Sequence, residues 1–388
     1  MIDHENDLTG YSGLYGKEGP WCTVLADVGT GTVDSLEALD VRPGQIRDAL
    51  LASGASKDDA AAAEDALRPA EGTGNPAARF LLIRQGRVEL DRVLPGQRVD
   101  SPHVAVGVIP DLLPLTRHGA MELPVVTASV DRSGADIALS YARRTVEGDD
   151  MAEVPGGGWS QGQYQHRTEE VWRKNAEEAA AQIDKLVLAK HPAAIAIGGD
   201  ERARNLVLSQ LSEASQAIAA TVDSHTRAGG ADPEVMNTVV EKMLAESQAH
   251  GQHRLLERLE EEKGHHGRKA AFGLTAVVHA LQQAQVDTLV LSQALTADPG
   301  AENTATDPDR QPSRELLVLD ASPWIAVAED EALTAGILGK APAAAALIRA
   351  AVLTHAHLEF VPDTAIPSGS DAAVLLRWTP GPDMPGER

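Results

Sequence analysis

PVVTASVDRSGADIALSYARR (124–144), EGDDMAEVPGGGWSQGQYQ (147–165) and HRTEEVWRKNAEEAAAQIDKLVLAK (166–190) follow one another in the middle of the chain. In the first, two β-rich runs flank Asp131-Arg132-Ser133-Gly134, residues that suit a tight turn, so a hairpin is expected. The second is polar and glycine-rich with no hydrophobic period, and reads as a loop. In the third, Thr168, Glu169 and Glu170 suit the first turn of a helix, where carboxylates complement the helix dipole. Val171, Ala179, Ile183, Leu186 and Val187 then recur at roughly helical spacing. AAIAIGGD (193–200) reads as a buried strand and turn, ERARNLVLSQL (201–211) as a helix, and AIAATVDS (217–224) as a strand. Such alternation implies an α/β sheet with covering helices.

Toward the N-terminus, WCTVLADV (21–28) is a short apolar strand. VRPGQIRDALLASG (41–54) reads as a helix with Pro43 near its start and Gly54 at its end. SKDDAAAAEDALR (56–68) reads as a helix capped by Ser56, with acids in its first turn. ARFLLIRQGRVELDRVL (78–94) reads as two strands about a Gln85-Gly86 turn. Toward the C-terminus, residues 232–264 begin with Asp232 as a cap and Pro233 at the first helical position. Val235, Val239, Val240, Met243 and Leu244 are its expected apolar face. Residues 272–285 and 341–356 read as helices, and VDTLVLS (286–292), ELLVLD (315–320), HLEFVP (357–362) and AAVLLRW (372–378) as strands. Between them, TADPGAENTATDPDRQPSR (296–314) is a polar insertion. No repeat of fixed period is present. Three parts result: an α/β domain at 1–120, a middle domain at 121–227 with its Gly/Gln-rich loop at 155–166, and an α/β domain at 228–388.

The chain has 388 residues, with 34 Lys+Arg against 57 Asp+Glu and a net charge of −23. That excess argues against a charge-driven nucleic-acid binder, and DNA is not an expected partner. The three parts carry −7, −5 and −11, so nearly half of the excess lies in the last. Hydrophobic residues at 43% and charged residues at 23% are ordinary globular values, against wholesale disorder. The single cysteine, Cys22, excludes an intrachain disulfide or a Cys-rich zinc site and reads as a core residue in a reducing compartment. The start MIDHENDLTG lacks the basic and apolar regions of a signal peptide, and no apolar run is long enough to cross a bilayer. A soluble cytoplasmic protein without membrane partners is expected. Arg outnumbers Lys 25 to 9 and Ala is abundant, as in GC-rich bacterial genomes.

Gly156, Gly157 and Gly158 permit close approach of backbone to another surface. Gln161, Gln163 and Gln165 supply donors and acceptors without charge. Tipped by Trp159 and Ser160, such a loop can enter a crowded RNA cavity, hydrogen-bond and stack; the alternative is a plain surface loop. Arg143 and Arg144 precede the loop, and His166, Arg167, Arg173 and Lys174 follow it. These residues either form a basic rim or, for Arg173 and Lys174, pair with Glu169, Glu170, Glu177 and Glu178 along the helix. His250, His253, His265 and His266 lack Cys and a clear acidic partner set and read as solvated surface, so no metal or other cofactor is expected. Ile197-Gly198-Gly199-Asp200 stands between strand and helix as an anion cradle would, but lacks the P-loop lysine and reads as a structural turn. No Ser–His–Asp arrangement or dinucleotide fingerprint occurs.

The segment GGGWSQGQYQHRTEEVWRKNAEEAAAQI resembles the Gly-Gly-Gln loop and following helix of the archaeo-eukaryotic class-1 peptide-release factors. GRKAAFGLTAVVHALQQAQVDTLVLS (267–292) and GSDAAVLLRW (369–378) are similar to those factors' C-terminal domain. The order of these segments is most similar to the bacterial release-factor-like family related to Pelota, which includes the Balon-type ribosome hibernation factors. The resemblance implies a three-domain release-factor/Pelota-like α/β architecture, with an RNase H-like middle domain and a ribosomal-protein L7Ae-like C-terminal domain. It also implies a protein that binds the 70S ribosome at its A site, meets rRNA and P-site tRNA with the 156–166 loop, and works with elongation factor Tu. Gly157, Gly158, Trp159, Ser160, Gln161, Gln163, Gln165, His166, Arg167, Arg173 and Lys174 would make those contacts. In true release factors Gln directly follows Gly-Gly, whereas here Trp159 follows Gly158 and Gln161 stands two positions later. Catalysis in those factors is positioning of water at the peptidyl-tRNA ester, so the displacement favours a blocking factor. Gly158-Trp159-Ser160-Gln161 also fits the looser Gly-x-x-Gln pattern of related peptidyl-tRNA hydrolases, so ester hydrolysis through Gln161 stays open.

Overall fold

Gln85 and Gly86 hold φ of 50° and 69°, the paired left-handed conformation that a two-residue hairpin turn demands. The turn Gln85-Gly86 is one of the features that the computed structural model bears out. The structure describes residues 8–29, 33–67, 77–95, 99, 101–118, 121–131, 135–144, 168–223, 233–264, 269–296 and 315–378. The chain divides into two compact units, one of residues 1–119 with 252–388, the other of residues 120–251.

In the first unit, a 3-10 turn at Leu8–Tyr11 and α1 (Ser12–Tyr15) lead to β1 (Trp21–Asp27). Then come α2 (Val33–Ala52), α3 (Lys57–Ala66), β2 (Ala77–Arg84), β3 (Arg87–Pro95), β4 (His103–Gly107) and α4 (Leu113–His118). The strands form an antiparallel sheet ordered β3-β2-β1-β4. Alternation along β1 sorts its side chains to two cores. Cys22, Val24 and Ala26 pack with Ile46, Leu50, Ala60 and Ala63 under α2 and α3. Trp21 and Leu25 enter a second core. Burial on both faces explains why the strand reads as continuously apolar. Ser56 caps α3 as expected, its Oγ accepting from the Asp59 amide at 3.0 Å. Helix α2 corrects the sequence reading: it begins at Val33, not near Val41, and contains Pro43 in its interior. A proline there forgoes one intrahelical hydrogen bond, which the rest of the helix must outweigh.

The second unit contains β5 (Met121–Val130), β6 (Ala135–Arg144), α5 (Thr168–Lys190), β7 (Ala194–Gly199), α6 (Glu201–Gln210), α7 (Glu213–Gln216) and β8 (Ala219–Val222). Its sheet runs β6-β5-β7-β8, antiparallel in the hairpin and parallel thereafter. Val126, Ala128, Val130, Ile195 and Ile197 face Ala176, Ala179, Ala180 and Ile183 of α5 and Val207 of α6. Val125, Ala194 and Ala196 face the other way, onto Met236, Val240 and Leu244. Those three lie on α8 (Pro233–Gly264), whose residues up to Gly251 belong to this unit. Val235, expected on the apolar face of α8, is instead exposed, and Met236 takes its place. The buried row Met236, Val240, Leu244 has strict i, i+4 spacing, which puts Val235 off its edge.

The remainder returns to the first unit with β9 (Ala270–Phe272), α9 (Leu274–Gln282), β10 (Val286–Ser292), α10 (Gln293–Thr296) and β11 (Glu315–Leu319). β12 (Ile325–Ala326), β13 (Ile337–Pro342), α11 (Ala343–Leu353), β14 (His357–Val361) and β15 (Ala372–Leu376) complete it. One sheet is ordered β14-β10-β15-β9 and a smaller one β12-β11-β13. Phe272, expected in a helix, ends β9, and Gly273 at φ 86° turns the chain into α9. The core that receives Trp21 and Leu25 also holds Leu281, Leu289, Leu347, Ile348 and Val374, so both ends of the chain build one interior. The protein is mixed α/β, and no described helix is long and apolar enough to cross a membrane.

Candidate functional site

The hairpin and the helix on either side of the expected loop are both described. β5 and β6 pair in register from Met121↔Arg144 to Val130↔Ala135, and α5 begins at Thr168. The expected site residues Gly157, Gly158, Trp159, Ser160, Gln161, Gln163, Gln165, His166 and Arg167 lie outside the described residues. The strand positions of Arg143 and Arg144 are described, at the end of β6. Arg173 and Lys174 are both exposed on α5. Arg173 Nη1 lies 3.7 Å from Glu177 Oε2, with both side chains more than 60% exposed. The helical pairing weighed for Arg173 is therefore present, but in solvent such a pair is weak and easily exchanged for another anion. The pairings with Glu169 and Glu170 fall on side chains outside the described set.

Part of what holds α5 in place is the apolar face expected from the sequence, and part is polar and was not visible there. Ala176, Ala179, Ala180 and Ile183 are buried against the sheet. On the same helix, Asp184 accepts from the Ser212 amide at 3.1 Å, the Ser212 hydroxyl at 2.8 Å and the Ser215 hydroxyl at 2.5 Å. Ser212 is itself the cap of α7, so one carboxylate ties the long helix to the next helix start. The buried Arg204 donates to the Val222 carbonyl at 2.6 Å and pairs with Asp223, closing the end of β8. These partners are far apart in sequence, and no local pattern announces them.

Gly199 has φ of 109°, and a Cβ there would stand 2.0 Å from the Val130 carbonyl oxygen. Asp200 turns its own carboxylate onto the α6 start, accepting from the Arg202 and Ala203 amides at 3.0 and 3.2 Å. The Gly198-Gly199-Asp200 turn is thus occupied by its own cap and serves close packing. His253 lies 3.1 Å from Glu257 on the exposed surface of α8, and His265 and His266 fall outside the described residues. Cys22 is buried, and its thiol is pushed up to about 12 by burial and then by the negative charge of Asp59. A thiol so protonated is a poor nucleophile.

Residues 124–265 match the family described as bacterial archaeo-eukaryotic release factor family 2. Two Mycobacterium tuberculosis proteins, MT2704 of strain CDC 1551 and Rv2629 of strain H37Rv, are each 26% identical over 288 residues. That alignment covers 72% of this chain and 76% of each relative. Among solved structures, Archaeoglobus fulgidus Pelota aligns at 16% identity and a TM-score of 0.34, over 78% of this chain and 80% of that one. Saccharomyces cerevisiae Dom34, a translation termination-like factor, aligns at 11% identity and 0.38, over 77% and 75%. An archaeal Pelota from a ribosome-bound assembly with ABCE1 aligns at 13% identity and 0.39, over 96% and 95%.

Proposed function

We propose, from the premise that residues 124–265 place this chain in a release-factor-like family, that it is a ribosome-associated translation factor. In this reading it occupies the A site of idle 70S ribosomes, directs the 156–166 loop toward the peptidyl-transferase centre and blocks translation as a hibernation factor. One observation carries the reading. The family match spans the β5–β6 hairpin, the Gly/Gln segment and α5 as one block, with Arg173 and Lys174 exposed on the helix that follows. The three-part order of 1–120, 121–227 and 228–388 is the functional division that goes with it. Gly157, Gly158 and Trp159 meet rRNA, Gln161, Gln163 and Gln165 hydrogen-bond in the cavity, and His166, Arg167, Arg173 and Lys174 meet phosphates. Elongation factor Tu is the delivery partner in this scheme.

Purified protein should co-sediment with idle 70S ribosomes and lose binding when Trp159 and Arg167 are both changed to Ala. Failure to co-sediment overturns the reading. Peptide release from stalled complexes separates the blocker from an ester hydrolase. No release from wild type supports the blocker. Release that disappears in Gln161→Ala makes the protein a peptidyl-tRNA hydrolase, an outcome that the Gly158-Trp159-Ser160-Gln161 pattern motivates.

A further inference from the structure

Exposed large apolar side chains are scattered over most of the protein, but Val327, Leu333, Ile337 and Leu338 fall within one short stretch of the small β12-β11-β13 sheet. β13 pairs with β11 on one side and has no strand on its other side among the described residues. Ile337, Leu338, Lys340 and Pro342 are all exposed along it. Folded proteins usually blunt such edges with charge or cover them. Here a register shift at Leu338, together with Lys340 and Pro342, blunts the edge in part, but Ile337 and Leu338 remain exposed on it. Just before the strand, Leu333 is 82% exposed and held at φ 54°, a left-handed conformation that a leucine rarely adopts.

The charges around the edge select its occupant. Glu315 stands opposite Pro342 at one end of β13, and Asp320 bonds Gly336 just before the other end. Glu329 and Asp330 are exposed on the connection leading to β13, against the single base Lys340 on the strand. RNA is repelled by this rim. A second copy pairing edge to edge would set acid against acid. Residues 297–314, which join β11 directly, are also net acidic and contain Pro299, Pro308 and Pro312, so they suit the edge neither by charge nor by strand propensity. We infer that β13 is a docking edge for an extended protein segment whose apolar residues are flanked by Lys or Arg, added to the sheet as a further strand. Main-chain hydrogen bonds supply the pairing, Ile337 and Leu338 the apolar anchor, and the acidic rim the selectivity.

The test uses the full chain, no ribosomes, and two strand-forming peptides of alternating Ile and Thr, one with lysines at both ends and one with glutamates. Hydrogen exchange should slow over residues 335–342 with the lysine peptide and not with the glutamate peptide. Binding of the lysine peptide should weaken with salt. The double variant Ile337→Lys, Leu338→Lys alters exposed positions only, and should bind at least tenfold more weakly while exchange in β10 and β15 stays unchanged. Equal binding of both peptides, protection elsewhere, no protection at all, or a concentration-dependent dimer lost in the double variant each overturns the proposal.

Discussion

Arg349 Nη1 donates to the backbone carbonyl of Trp324 at 2.9 Å, and the same guanidinium lies 5.6 Å from the centre of the Trp324 ring. Its Nη2 donates to the Leu319 carbonyl at 2.9 Å, and the Tyr15 ring stands 5.9 Å away. Arg349 is only 1% exposed, so these contacts replace its water. One side chain of α11 thus fixes the Trp324 turn, the end of β11 and the N-terminal α1 together. Arg349→Ala should destabilise the first unit by about 2–4 kcal/mol, since it opens a cavity and leaves one buried and one half-buried carbonyl without this donor. Arg349→Lys should lose less, keeping a charge and a stem but not the fork. Urea unfolding followed by tryptophan fluorescence reads both.

A pH effect follows from Glu89. The Lys17 ammonium, hydrogen-bonded to its carboxylate, and Arg84 on its other oxygen hold Glu89 below the usual carboxylate range. A carboxyl with a lowered folded pKa adds stability above its unfolded value, about 4.3, and loses it as pH falls through the folded value. The melting temperature of wild type should therefore drop on acidification below about pH 5. Glu89→Gln should be less stable at pH 7 and show a smaller drop. Identical profiles for the two proteins would refute the assignment.

Two glycines should respond oppositely to alanine. Gly199→Ala places a methyl against the Val130 carbonyl at a positive φ, and should unfold the second unit or cost it several kcal/mol. Gly251, in the middle of α8, has open space where a Cβ would go. Gly251→Ala should stabilise by about 0.5–1 kcal/mol. Calorimetry on the two variants gives the comparison.

Arg173 should matter for binding and not for folding. Its pair with Glu177 is exposed, so Arg173→Ala should leave the melting temperature within about 2 °C of wild type. On the proposed function, ribosome binding by the same variant should weaken and its salt dependence become shallower. A large loss of stability would mean that α5 depends on the pair.

Most strands and helices were legible because their signals are local. Ser56 before Asp58 and Asp59, and Gln85-Gly86 between two β-rich runs, each carry their own structural instruction. The start of α2 was missed because Pro43 mimics a first-turn proline while sitting inside a longer helix. β12 and β13 were missed because Ile325–Ala326 is too short to show a period, and Gly339 and Lys340 interrupt Ile337–Pro342. At the candidate site, the exposure of Arg173 and Lys174 was readable from helical charge patterning. The Asp184 cap on Ser212 and the Arg349 fork were not, since each joins residues distant in sequence. A lone arginine in an alanine-rich helix gives no hint that it is buried.

The shared interior of residues 1–119 and 252–388 also sets an order of events during synthesis. Trp21, Leu25 and Phe80 are made before the second unit, yet their core partners Leu281, Leu347 and Val374 are made only after it. The second unit, by contrast, is continuous in sequence and can close as soon as residue 251 has left the exit tunnel. The nascent N-terminal sheet must wait with one apolar face uncovered, a window in which chaperones and aggregation compete for it.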